Sequence, residues 1–230
     1  MGVYTYILFS KMDLHINFAK PVGPYDMTWN KCVPTYCHVE MSIEIEKDLF
    51  SVIVDTNVSS AHNPSLLENL LARLKSSSLK KLNVCFYIMW GDVVSIRFLD
   101  DLNEDPLLRP PEQPIYDTIT IPLEVETLQK VIGYNLRQLG KSYDIPRALL
   151  LLASFTLRTN PNEVPAKFFC SQLIMHTLKH SGLFDESISK LEDINHMTPL
   201  NVYEWLSKQQ TDTIKNDNDE KKNGSTKTDE

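Results

Sequence analysis

The sequence predicts an α+β protein, an antiparallel sheet packed against several helices. Three observations predict it. From Cys37 to Glu46 the chain alternates strictly, with Cys37, Val39, Met41, Ile43 and Ile45 on one face and His38, Glu40, Ser42, Glu44 and Glu46 on the other. Leu66, Leu67, Leu70, Leu71 and Leu74 then recur at helical spacing. Beyond residue 123, apolar-periodic segments follow one another with only short breaks.

The elements follow in order. Val3 to Phe9 is a short apolar run suited to a buried strand. Pro21 to Pro34 is rich in turn formers and reads as loop. After the alternating strand, Phe50 to Val54 reads as its hairpin partner, turning around Glu46 to Leu49. A helix is expected over Pro64 to Lys75. Strands are expected near Val84 to Trp90 and Val93 to Leu99, with Gly91-Asp92 as the turn between them. Asp105 to Pro114 is an extended loop that leads into a strand at Thr118 to Ile121. Glu124 to Leu139 is an amphipathic helix closed by Gly140. Further helices are expected over Ile145 to Leu157, over Pro165 to His180 ending at Gly182, and from Thr198-Pro199 to Trp205. From Lys208 onward Gln, Asp, Asn, Lys, Thr and Glu dominate, so residues 1–207 are expected to form one domain and 208–230 a disordered polar tail.

Composition removes several classes. The 230 residues are 42% hydrophobic and 23% charged, enough for a buried core. A net charge of −7, without a basic cluster, argues against a nucleic-acid partner. Neither a phosphate-binding glycine loop nor a dinucleotide fingerprint occurs, and no cofactor is expected. The longest apolar run, Ala148 to Ala153, is far short of a membrane span. Four cysteines and no signal-peptide pattern place the chain in a reducing, intracellular compartment. Nothing sets an oligomeric state.

Cys170 is the leading candidate for chemistry. It stands at the start of an apolar-periodic helix, in Phe168-Phe169-Cys170-Ser171-Gln172-Leu173. A thiol there feels the positive helix end and unpaired N–H groups, which favour the thiolate; the plain alternative is a packed core cysteine. His38 opens the alternating strand on its polar face and suits a general base. Glu40 projects from the same face and can orient an imidazole. In the expected hairpin Asp55 lies opposite Glu40 and Asn57 opposite His38, so both are alternative third members. No metal is expected. Cys32 and Cys37 lack a second matching pair, and adjacent Cys37 and His38 point to opposite strand faces. His176 and His180 lack the intervening acid of a metalloprotease helix, and no G-x-S-x-G elbow occurs.

Four segments in this order resemble a known family: Cys37-His38-Val39-Glu40, then Gly140-Lys141-Ser142-Tyr143-Asp144, then Phe169-Cys170-Ser171-Gln172-Leu173-Ile174, and last the Thr198-Pro199 helix. The chain resembles the circularly permuted papain-like enzymes of the NlpC-type superfamily, which include YiiX-like proteins, the lecithin:retinol acyltransferase branch and relatives encoded by large DNA viruses. In that permuted group the His strand precedes the Cys helix, as here. The resemblance spans roughly Tyr4 to Trp205. It implies a permuted papain-like fold in which the sheet packs against a helical bundle carrying the Cys helix. It also implies Cys170 as nucleophile, His38 as base and, through the His-x-Glu form of viral members, Glu40 as third member. Backbone N–H groups of Cys170 and Ser171 would hold the oxyanion. Gln172 stands where many relatives carry Glu, and Cys37 where a small hydroxyl residue is common. The implied activity is that of a cysteine hydrolase or acyltransferase, working through an acyl-thioester on a peptide, amide or lipid acyl substrate. A lipid substrate would bring transient contact with a membrane surface. The alternative is a catalytically inactive module used in binding or virion assembly.

Overall fold

Period-two alternation builds the centre of the protein, and the computed structural model describes it within residues 11–20, 35–99, 116–152, 164–191 and 193–224. Five strands form one antiparallel sheet: β1 (Met12–Ala19), β2 (His38–Glu46), β3 (Lys81–Tyr87), β4 (Ser95–Phe98) and β5 (Tyr116–Leu123). Their spatial order is β4-β3-β2-β1-β5, so the His38 strand lies in the middle. Among the described residues seven α-helices accompany it: α1 (Lys47–Asn57), α2 (Pro64–Ser76), α3 (Val125–Gln138), α4 (Ile145–Leu152), α5 (Cys170–His180), α6 (Asp185–Ser189) and α7 (Pro199–Gly224).

One sheet face is apolar. Leu14, Ile16, Phe18, Val39, Met41, Ile43, Val84, Phe86, Ile119 and Ile121 are all buried, in a core shared with Leu67, Leu70, Leu128, Val131, Leu173 and Ile174 of the helices. At about 25 cal/mol per Å² of apolar surface removed from water, this shared core is the main stabilising term. The other face is polar, exposed at Asp13, Glu44, Glu46 and Thr118 and buried at Glu40 and Ser42. The Asn17 amide donates to Ser42 and the Thr118 hydroxyl donates to Asn17, both at 2.9 Å, forming a cross-strand ladder.

The structure corrects several expectations. Phe50 to Val54 is not a strand. It belongs to helix α1, because Phe50, Ile53 and Val54 are spaced i, i+3, i+4 and bury one helical stripe. The partners of β2 are β1 and β3, and Ala19 lies opposite His38. Val3 to Phe9 lies outside the described residues, as do the loops expected over Pro21 to Pro34 and Asp105 to Pro114. Strand β1 begins after that first segment, and its own alternation of Leu14, Ile16 and Phe18 with Asp13, His15 and Asn17 was the available signal. The helix expected from Pro165 starts only at Cys170. Before it, Phe168 bridges Tyr143, and the Phe168 and Asp144 N–H groups donate to Ser142 and Phe168 carbonyls. The last helix runs through the expected tail boundary at 208 to Gly224, with the Gln210 amide donating to the Thr120 carbonyl of β5 at 2.8 Å. No helix among the described residues is long and apolar enough to cross a membrane.

Candidate active site

Two elements bring the chemistry together. Strand β2 opens with His38, and helix α5 opens with Cys170, whose preceding residue Phe169 is extended. Helix α5 packs on β2, so its N-terminal end meets the start of the strand. Its four leading N–H groups have no partner within the helix, and they point toward the thiol end. The approach is fixed from behind. Segment 140–144 bridges Val93 on one side and Phe168 on the other, and Gly140 makes the turn out of α3 with φ +86° while its N–H donates to Val94. That bracing sets where Phe169 and Cys170 sit.

Cys170 is 6% exposed, which by itself would raise its pKa. A hydrogen bond with the His38 ring and the ring's positive charge outweigh burial, helped by the Val39 and Ser171 backbone N–H groups, and the net direction is down. His38 answers in kind. Burial pushes its pKa down, but the bond to Cys170 and the negative charges of Cys170 and of the facing Glu40 raise it to about 9. A thiolate–imidazolium pair is what those two opposite shifts describe. Tyr143 lies beside the thiol, its own hydroxyl pushed up by burial and by the Cys170 charge.

Glu40 is 3% exposed and faces the imidazole, with Oε2 3.6 Å from Nε2 of His38. That is just beyond hydrogen-bond reach, and Nε2 has no closer partner. Glu40 is held more tightly by Arg97 of β4, whose Nη2 donates at 2.8 Å to both carboxylate oxygens. Burial would raise the Glu40 pKa, yet His38 and Arg97 hold it below the usual carboxylate range. Sequence reasoning missed Arg97. Its signal was a cation inside the expected Val93 to Leu99 strand, two strands away from Glu40.

The alternative third members stand elsewhere. Asp55 is exposed on α1, and Asn57 closes the same helix, where its Oδ1 accepts from Arg137 Nη1 at 2.8 Å. The cross-strand register expected for them fails because α1 is a helix. Ser171 is fully buried and its hydroxyl donates to the Met197 carbonyl at 2.6 Å, while its backbone N–H is directed at the Cys170 sulfur. Gln172 and His176, also on α5, both bond Asn195 Oδ1 at 2.8 Å and tie the helix to the 194–196 turn. On the polar face of β2, Glu40 and Ser42 are buried while Glu44 and Glu46 are exposed.

Cys32 lies outside the described residues, and among those described no three His, Cys, Asp or Glu side chains gather as a metal site. Two surface grooves, of about 450 and 300 Å³, lie at the Lys11–His15 end of the sheet and beside His180; neither is lined by Cys170 or His38. No protein-family model matches the chain, and neither a curated protein nor a solved structure matches it.

Proposed function

We propose that the chain is a cysteine-dependent acyl hydrolase or acyltransferase of the permuted papain-like type. The observation that carries this reading is the meeting of Cys170, at the first turn of α5, with His38, at the first residue of β2, with the pKa of the thiol shifted down and that of the imidazole shifted up. The thiolate attacks an acyl carbonyl, and the imidazolium returns its proton to the leaving amine or alcohol. Backbone N–H groups at the α5 N-terminus would stabilise the oxyanion; that of Ser171 is directed at the sulfur in the resting site. Water resolves the thioester to give a hydrolase; an amine or lysolipid acceptor gives an acyltransferase. Glu40 supports the imidazolium from its far side.

One observation favours a second reading, the idle binding module: Cys170 is 6% exposed. Labelling separates the two. With an electrophilic thiol probe at neutral pH, Cys170 should react faster than free cysteine, and Cys170→Ala should lose that labelling. Equal labelling of the wild type and Cys170→Ala, or a Cys170 no faster than free cysteine, overturns the enzyme reading. Peptide, amide and phospholipid ester substrates, compared between wild type and Cys170→Ala, then assign the acyl class.

A further inference from the structure

Behind the Cys170–His38 pair lies a partly buried polar cluster that draws on four strands. Glu40 comes from β2, Cys85 and Tyr87 from β3, Arg97 from β4 and Tyr116 from β5. Strands β4 and β5 are the two edges of the sheet, and in a flat sheet they would lie roughly 19 Å apart. The long Arg97 and Tyr116 side chains nonetheless interact across the polar face, beside Glu40. The guanidinium also stacks on the Tyr87 ring, 4.8 Å from the centroid.

We infer that Arg97 is a positioning residue that keeps Glu40 ionised and aimed at His38. The inference rests on His38 being the base of the proposed reaction. A carboxylate this buried is unfavourable without a cation, and His38 alone supplies one only when it is protonated. Arg97 is always charged, so it holds the anion in place before the thiol gives up its proton. Both carboxylate oxygens already accept from Nη2 at 2.8 Å, which leaves Glu40 facing Nε2 across 3.6 Å. The carboxylate therefore acts on the imidazole chiefly as a fixed negative charge. The groups facing Glu40 are His38 on its own strand, Cys85 and Tyr87 on β3, Arg97 on β4 and Tyr116 on β5; Cys170 on α5 reaches it through His38. Burial, with Glu40 next in effect, pushes Cys85 well up, so it stays a neutral thiol and adds no competing charge.

The test follows the His38 imidazole by NMR titration in wild type, Arg97→Met and Arg97→Lys, with circular dichroism to confirm folding. In Arg97→Met, Glu40 takes up a proton and no longer supports the imidazolium. The His38 midpoint, about 9 in the wild type, should fall by about 1–3 units. Arg97→Lys, which keeps a cation, should recover most of the shift. A midpoint that stays put in folded Arg97→Met, or one that rises because Glu40 closes on His38, overturns the inference. Should Arg97→Met not fold, Arg97→Lys against Arg97→Gln gives the same comparison. The readout needs no turnover, so a wild type whose Cys170 is inert would sink the enzyme reading while leaving the Arg97 result to stand or fall alone.

Discussion

At the residue scale, charge state decides the behaviour of the site. The raised His38 pKa means that its imidazolium is present below about 9 and is lost as pH rises through that value. The lowered Cys170 pKa means that its thiolate persists to a lower pH than an ordinary cysteine allows. Acylation should therefore stay high across neutral pH and decline through about pH 9, read as pre-steady-state rate against pH. Glu40→Gln should reduce that rate by about 10-fold or more and move the alkaline decline to lower pH. Asp55→Asn should match the wild type, since Asp55 is exposed on α1. An unchanged Glu40→Gln profile, or a crippled Asp55→Asn, would return the third position to the alternatives. His38 and Glu40 were legible because a strand places i and i+2 on one face, a rule that holds wherever the strand pairs. Arg97 was not legible, because the sequence does not say which strands lie side by side, and its side chain reaches Glu40 past the intervening β3.

At the element scale, the misassigned strand has a plain cause. Apolar runs of four or five residues carry too little periodicity to separate strand from helix, and Phe50 to Val54 is such a run. Pairing arithmetic built on it then carried Asp55 and Asn57 to the wrong place. Caps were more dependable. Gly91, Gly140 and Gly182 all adopt positive φ, at +78°, +86° and +78°, at or beside the turns expected for them. At Gly140 a Cβ would also meet Asn63 Cβ at 3.3 Å and Leu66 Cδ1 at 3.4 Å. Gly140→Ala should cost about 1–2 kcal/mol from left-handed strain alone, seen as a lower denaturant midpoint. Because Gly140 leads into the segment that braces Phe168, the same variant should slow Cys170 labelling. Full stability with unchanged labelling would show that the bracing has no such role.

At the scale of the whole molecule, the fold class was legible and the burial of Glu40 and Ser42 on the polar sheet face was not. Alternation reports which residues can face water; it does not report what later folds over them. Buried polar groups elsewhere also make stability depend on pH. Burial lowers the His176 pKa to about 4, although the bond to Asn195 opposes it. A histidine depressed in this way favours the folded state above its unfolded value of about 6.5, and that contribution is lost as pH falls toward 4. The melting temperature should drop between those limits, and His176→Gln should flatten the acid slope. A slope identical in wild type and variant would assign acid sensitivity to other groups.

The site's two halves come from distant parts of the chain, His38 near its beginning and Cys170 far toward its end. During synthesis His38, Glu40 and Arg97 are made before Cys170 exists. The thiol, once made, is an ordinary cysteine until α5 docks on β2 and the imidazole lends it charge. Under the proposed function, a growing or cut chain carries no activated sulfur, and reactivity should appear only when folding joins the two halves. Two fragments divided between β4 and β5 would each be silent, and their reunion would report itself through the labelling of a single cysteine.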